Sequence, residues 1–349
     1  DLTGSSVQVV CDPNKPSTEA DKKIAVFAGN GRVLVKSTDC TAGGDGSDHL
    51  IQQMFPTVAW GTKYITVPTK KMEFNYFRVF VNDPATVVNV KGANKGNLVN
   101  NLYYQFNSNV PLEIESDKPI SVNQFIIQGS CKTSSVGNSA NGDPEMIIIS
   151  PVQQAINKVT VYSAGIKKNG ATNASTGNYI NVIIPKEGVQ TFKLNNVDYN
   201  STTTVDIGNA SNLAGFGSQM VLLKDAFKVH PQNADYMYAT FKVNQSQSTT
   251  LSSTVAFNAI AYGMGDGESY GYNAGTALKN LSSIKISDNP HGKDTSSTIV
   301  RTCKDNPVKL KIALPHPKSQ VERIVWDPGN DPRISPLGAV EGAKVGNVA

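Results

Sequence analysis

The chain has 349 residues, of which 39% are hydrophobic and only 17% are charged, against roughly 25% charged residues in an average globular domain. A chain of this length exceeds what one hydrophobic core usually supports, so more than one domain is expected. The net charge of +4 is spread along the chain, which argues against the strongly basic surface of a nucleic-acid-binding protein.

Uncharged polar residues take the place of the missing charges. The 33 Asn, 29 Gly and 18 Pro favour turns over helices, which predicts an all-β fold with little helix. No stretch approaches 18 consecutive apolar residues, and no signal-peptide pattern opens the chain, so membrane insertion is not expected.

Short runs of β-branched and aromatic residues, bounded by Gly, Asn, Asp or Pro, predict strands at residues 24–27, 33–35, 64–67, 76–81, 86–90, 102–106 and 120–127. Only residues 47–54 and, less clearly, 219–229 are expected to hold a turn or two of helix. Many short strands separated by turn residues are typical of tandem β-sandwiches, either Ig-like or jelly-roll-like.

Several of these segments recur at offsets of roughly 100 residues, which indicates a duplicated β unit. Residues 56–68 are similar to 151–163, and 76–81 to 179–184. A polar turn leading into a strand also recurs, at residues 21–29, 117–125 and 253–263. We therefore divide the chain into an incomplete first β unit (1–50), a second sandwich (51–147), a third sandwich (148–280), a linker (281–296) and a partial further module (297–349).

The cysteines lie far apart and form no C-x-x-C pair, which argues against a structural zinc site. Cys11 and Cys40 either form a disulfide in an oxidising extracellular setting or remain free buried thiols. The state of Cys131 and Cys303, free or paired outside this chain, stays open.

Two glycine-rich loops carry carboxylates that are able to bind a hard cation such as calcium through oxygen ligands. One loop contains Asp45 and Asp48, and the other contains Asp266 and Glu268. Neither loop follows the order of an EF-hand, and an ordinary solvated turn is the alternative. No other cofactor and no catalytic residue is predicted.

Tyr270 and Tyr272 follow the second glycine-rich loop. Tyr side chains at exposed positions commonly anchor protein and sugar ligands. These two residues are therefore the predicted ligand-binding pair.

Six parts of the sequence carry a resemblance to a known family: residues 1–4, 23–29, Cys40, 48–54, 60–61 and 268–275. They resemble the IgGFc-binding protein N-terminal domain family, over about residues 1–275. The resemblance implies an extracellular binding protein. Ser47 stands where that family has a Cys and Asn30 where it has a His, so the family's local disulfide cannot form here in the same way.

Residues 297–330 resemble PKD-like or bacterial Ig-like modules, through Cys303 and Pro307 and through Trp326 followed by Asp327. The order of the two modules resembles that of multidomain Bacteroidota surface proteins exported by the type IX route.

These patterns lead to the hypothesis of a non-enzymatic adhesin or ligand-binding segment of a large bacterial cell-surface protein. Its expected partners are a protein or glycan ligand at a surface, and other domains or copies of the same protein. One alternative is a secreted polysaccharide hydrolase, or its accessory domain, with a carboxylate pair brought together by folding. A structural filament or scaffold subunit is the other.

Overall fold

The computed structural model describes residues 3–7, 24–35, 47–72, 74–127, 142–165, 177–209, 216–265, 268–279 and 281, and the backbone of 325–326 and 340–341. Its contacts divide the chain into two units, Asp1–Asn280 and Leu281–Ala349.

The first unit is built from antiparallel strands with little helix, which confirms the predicted all-β class. Its only α-helix among the described residues is α1 (Leu223–Ala226), and short 3-10 turns occur at Thr57–Ala59, Val152–Gln154 and Lys186–Thr191. The strands are β1 (Phe27–Val33), β2 (Asp48–Gln53), β3 (Gly61–Thr66), β4 (Asn75–Val81), β5 (Val88–Lys91), β6 (Tyr103–Ser108), β7 (Leu112–Ile126), β8 (Glu145–Ile149), β9 (Ile156–Ser163), β10 (Gly177–Pro185), β11 (Lys193–Leu194), β12 (Val197–Asp198), β13 (Thr204–Asp206), β14 (Met220–Leu222), β15 (Lys228–His230), β16 (Asn233–Val243), β17 (Gln247–Gly265) and β18 (Glu268–Asn273).

Two sandwiches are described in this unit, the first containing β3 to β8 and the second containing β9 to β18. The first sandwich is organised around the long strand β7, which changes partners along its length. Residues 112–116 pair with β3 and β5, whereas residues 120–126 pair with β4 and β8, and β6 continues the sheet beyond β4. Pro119 lies between the two halves, at a point where a residue without an N–H group is tolerated.

The second sandwich repeats this arrangement around β17. Residues 247–252 pair with β9 and β11, and residues 258–265 pair with β10 and β18. The duplicated segments of the sequence thus occupy equivalent places, β3 with β9 and β4 with β10. The match extends to the 3-10 turns that follow Pro56 and Pro151.

The two sandwiches share part of their core. Tyr179, Tyr262 and Met264 of the second sandwich belong to the buried cluster of the first. The hydroxyl of Tyr262 accepts the Lys70 backbone N–H at 2.8 Å, and the Asn181 side-chain amide donates to the Val67 carbonyl at 3.2 Å. Because apolar and polar contacts both cross this junction, the pair of sandwiches packs as one body.

Two local predictions near the start of the chain were wrong. Residues 47–54 were expected to hold a helical turn, but residues 48–53 form strand β2, in which Leu50 is buried while Ile51 is exposed. Such alternation is the pattern of a half-buried strand. The strands predicted at 24–27 and 33–35 are replaced by one strand, β1, which continues through the glycines between them. The weaker expectation of helix within 219–229 is confirmed by α1.

In the second unit, β19 (Val325–Trp326) pairs antiparallel with β20 (Val340–Glu341). The boundaries proposed at residues 50, 147, 280 and 296 stay predictions.

Candidate functional site

The β1–β2 hairpin is anchored to the sandwiches through one of its faces. Leu50 is only 8% exposed and belongs to the core of the first sandwich. Gln52 donates its side-chain amide to the Gly271 carbonyl of β18 at 3.0 Å. Within the hairpin, a Cβ atom on Gly29 would lie 2.3 Å from the Leu50 carbonyl oxygen, so the close approach of the two strands requires glycine there.

The opposite face of the hairpin presents large apolar side chains to solvent. Phe27 is 61% exposed and Ile51 is 59% exposed. Gly29 is the register partner of Ile51, and residues two apart in a strand share a face, so Phe27 and Ile51 lie on the same face. Ile24, just before β1, is also exposed. Clustered apolar residues on a surface are typical of interaction sites.

The outer edge of β1 is a second feature available for binding. Among the described residues, β2 is the strand that pairs with β1. An edge strand presents backbone N–H and C=O groups to which an extended peptide can add as a further strand. The hairpin therefore combines an apolar face with a backbone edge.

Ionisable side chains lie near the end of the hairpin at which β2 begins with Asp48. The Asp48 carboxylate lies 2.9 Å from Nδ1 of His49. Burial, followed by the negative charges of Asp48 and Glu268, raises the pKa of Asp143 to about 6. The Asp143 backbone is held against β18 because its N–H donates to the Ser269 hydroxyl at 3.2 Å, and that hydroxyl donates to the Asp143 carbonyl.

Glu145, at the start of β8, lies beside the inner side of the hairpin. Burial raises the pKa of its carboxyl to about 7, although the Met146 N–H, the charge of His49 and the Gln52 side chain oppose the shift. Protonation of Glu145 near neutral pH is thus coupled to the contacts that anchor the hairpin.

The fold brings Asp48 and Glu268 of the predicted calcium loops towards Asp143, whereas Asp45 and Asp266 lie outside the described residues. No group of three His, Cys, Asp or Glu residues in the described part of the chain is arranged to hold a metal ion. Calcium binding stays a prediction.

Tyr270 and Tyr272 lie on β18 with their rings stacked at 6.2 Å. The Tyr270 hydroxyl donates to the Asn178 side chain at 2.7 Å, and the Tyr272 hydroxyl donates to the Tyr162 carbonyl at 2.6 Å. Both rings are partly buried. These hydroxyl contacts therefore join β18 to β9 and β10. A ligand-binding role for Tyr270 and Tyr272 stays a prediction.

A small cavity between the two sandwiches has a volume of about 10 Å³, enough for about one water molecule. It is lined by Ile65, Val67, Ile183 and Ile260 among others. A cavity of this size does not hold a small-molecule substrate, which typically occupies about 300 Å³ or more.

Sequence reasoning did not identify the apolar face formed by Phe27 and Ile51, nor Asp143 and Glu145. The alternation of Leu50, Ile51 and Gln52 was the available signal for the hairpin, but six residues are too few to separate a strand from a helical turn. The four cysteines, including the predicted Cys11–Cys40 pair, lie outside the described residues.

The described residues contain no helix that is long and apolar enough to cross a membrane. Neither the curated proteins nor the solved structures include a match to the chain. The family model described as "IgGFc binding protein" matches residues 1–263, which is most of the chain and agrees with the resemblance over about residues 1–275. The chain therefore belongs to the IgGFc-binding protein family.

Proposed function

We propose that this chain is a non-enzymatic binding segment of a large extracellular surface protein, and that the outward face of the β1–β2 hairpin is its recognition surface. The observation that carries the proposal is the exposure of Phe27 and Ile51 on a hairpin whose inner face is fixed to the sandwiches. A fixed apolar face loses little conformational freedom on binding, which favours affinity.

We propose a protein as the ligand class. Phe and Ile side chains beside a strand edge that no other described strand pairs with suit a protein partner that supplies its own apolar residues and an extended segment. A glycan would instead be expected to meet polar side chains around an aromatic platform. The family description makes the immunoglobulin G Fc fragment the first ligand to test.

The wider setting forms part of the same proposal. We infer a bacterial surface protein, exported by the type IX route, in which a PKD-like module covers residues 297–330 and further domains or copies of the protein are additional partners. This inference rests on the sequence resemblance. Disulfide formation by Cys11 and Cys40 would suit the extracellular location.

The test is a surface-plasmon-resonance measurement of the chain against immobilised Fc fragment, beside an array of host extracellular proteins and a glycan array. The Phe27→Ser, Ile51→Ser double variant removes the apolar face. Val229→Ser is the matched control, because Val229 is a 50% exposed aliphatic residue on β15. Burying one large apolar side chain is worth about 1.5–3 kcal/mol, so the double variant should bind at least about tenfold more weakly.

Unchanged affinity of the double variant, or an equal loss in Val229→Ser, would contradict the assignment of the surface. Binding to glycans alone would contradict the ligand class. Absence of binding to every protein on the array would contradict the proposed function itself.

A polysaccharide hydrolase is the second candidate, supported by one observation. The pKa values of Asp143 and Glu145, about 6 and 7, are those of carboxyl groups that can act as general acids near neutral pH. We rank it second because the Glu145 carboxyl already accepts the Met146 N–H at 2.7 Å and contacts Gln52. Glycan turnover that Glu145→Gln abolishes would reverse this order.

A further inference from the structure

A buried lysine connects the two sandwiches. Lys71 lies between β3 and β4 and is only 2% exposed, although lysine is almost never fully buried unless it is paired. Its backbone φ is 69°, a left-handed conformation that is an outlier for a bulky residue. Backbone strain of this kind is found mainly where a side chain has to be held for a function.

The Lys71 amine lies against a carboxamide of the second sandwich. Its Nζ is 2.5 Å from Oδ1 of Asn209. Because the amide carbon Cγ is one bond of about 1.2 Å from that oxygen, Nζ lies within about 3.7 Å of the carbon that it would attack.

The backbone of Asn209 and of the residues just before it is held by hydrogen bonds. The Asn209 N–H donates to the Gly217 carbonyl at 3.1 Å. Asp206, at the end of β13, accepts the Gly208 N–H at 2.8 Å and the Gln219 N–H at 3.0 Å. These bonds join residues 206–209 to residues 217–219 and support the backbone that presents the Asn209 carboxamide to Lys71.

The surroundings favour a neutral, nucleophilic amine. Burial, followed by the positive charges of Lys70 and Lys242, lowers the pKa of Lys71 to about 8, and a desolvated lysine beside other cations is the usual form of an activated amine. Lys242 itself lies near this loop, since its Nζ donates to the Phe216 carbonyl at 2.5 Å. Its charge would also stabilise negative charge developing on the amide oxygen during attack.

We propose that Lys71 and Asn209 form an intramolecular isopeptide bond. Nζ of Lys71 bonds to Cγ of Asn209, the Cγ–Nδ2 bond breaks, and one proton of the attacking amine passes to Nδ2, which leaves as ammonia. The oxidation state of every atom is unchanged, so the step needs no oxidant, reductant or cofactor. The product is a secondary amide that joins the β3–β4 connection of one sandwich to the β13–β14 connection of the other.

The bond would close a loop across a sequence separation of 138 residues. A covalent link across so long a loop restricts the unfolded chain strongly. It would also keep the two sandwiches together when one of them opens locally.

The direct test is the intact mass of the purified full chain after reduction of its thiols. The expected result is a mass below that of the sequence by one molecule of ammonia, with a proteolytic map that contains Lys71 and Asn209 in one branched peptide. A mass equal to that of the sequence, with Lys71 and Asn209 in separate linear peptides, would overturn the proposal and leave a hydrogen bond only.

Two variants and a control support the mass measurement. Lys71→Met and Asn209→Ala should each recover the full mass of their own sequence, and each denatured chain should migrate more slowly on a gel than the cross-linked chain. Lys193→Met, which changes a lysine on β11, should keep the mass deficit. A deficit that persists in Lys71→Met would overturn the assignment of the bond. If either variant fails to fold, the peptide map of the unchanged chain still decides the question.

Discussion

The side-chain amide of Gln52 on β2 donates to the backbone carbonyl of Gly271 on β18, 3.0 Å away. This bond spans 219 positions of the sequence and attaches the exposed hairpin to the second sandwich. We expect Gln52→Leu to loosen the hairpin, since a hydrogen bond of this kind contributes about 0.5–1.5 kcal/mol. Amide hydrogen exchange in residues 27–33 and 48–53 should become faster.

The matched control for that change is Gln53→Leu, which alters an exposed residue of the same strand. Exchange in the hairpin should be the same as in the unchanged chain. Equal exchange rates in the Gln52 and Gln53 variants would show that the contact with Gly271 does not anchor the hairpin.

Glu145 should make the protein less stable as the pH rises. Burial raises its pKa from 4.5 to about 7, so between these values the folded chain binds more protons than the unfolded chain, and the free energy of unfolding falls with increasing pH. Asp143, raised from 3.8 to about 6, contributes in the same direction. Glu145→Gln should therefore be more stable than the unchanged chain at pH 8 and similar to it at pH 4.

Urea unfolding followed from pH 4 to pH 8 measures this effect. Glu187→Gln is the control, because Glu187 is exposed on a 3-10 turn, and the pH profile of that variant should follow the unchanged chain. The free energy of unfolding of Glu145→Gln could instead change with pH in the same way as that of the unchanged chain. The pKa of Glu145 would then not be raised by folding, and the prediction would be wrong.

A buried carboxylate stabilises the junction of the two sandwiches. Glu113 is 1% exposed, pairs with Lys63 at 2.7 Å and Lys91 at 2.5 Å, and accepts the Asn233 amide at 2.8 Å. Although burial acts against ionisation, these contacts hold the pKa of Glu113 below 4.5. Its contribution is present above pH 4.5 and is lost as the pH falls below that value.

Glu113→Ala should lower the free energy of unfolding at pH 7 by about 2 kcal/mol. The figure is below the ~3–5 kcal/mol of a fully buried pair, because Lys63 and Lys91 remain partly hydrated. Asp83→Asn, which breaks the exposed pair with Lys118, should leave the free energy of unfolding nearly unchanged, because exposed ion pairs contribute little to stability. A Glu113 variant as stable as the Asp83 variant would contradict a structural role for the buried carboxylate.

The contact between β18 and β8 leaves no room for a side chain at position 271. A Cβ atom on Gly271 would lie 2.6 Å from Cδ1 of the fully buried Ile147. Gly271→Ala should destabilise the chain by about 1–3 kcal/mol, the usual cost of overpacking. Gly31→Ala is the control, since a Cβ there meets nothing within 4 Å, and thermal unfolding of both variants provides the comparison. Equal midpoints for the two variants would show that β18 and β8 can separate at little cost.

The strands of the sandwiches were predictable because their side-chain pattern is local. Residues 76–81 alternate between partly buried and buried positions, and β4 forms there at Asn75–Val81. The duplication was also visible, because residues that fill equivalent core positions remain similar in size and hydrophobicity. The sequence does not show that β7 and β17 each pair with different strands along their two halves; this is seen only in the observed register.

The candidate site was much less predictable, because it depends on contacts between distant segments. The raised pKa of Asp143 requires Asp48 and Glu268 to approach it. The pairing of Lys71 with Asn209 requires the β13–β14 connection to reach the first sandwich. Neither approach leaves a periodic pattern in the sequence.

The central claim is that the outward face of the β1–β2 hairpin and the outer edge of β1 bind a protein ligand. Hydrogen exchange of the full chain, measured with and without saturating Fc fragment, tests this claim most directly. We predict that the Fc fragment slows exchange in residues 27–33 and 48–53 and leaves β15 and β16 unchanged. Protection confined to other strands, with the hairpin exchanging at its unbound rate, would contradict the account.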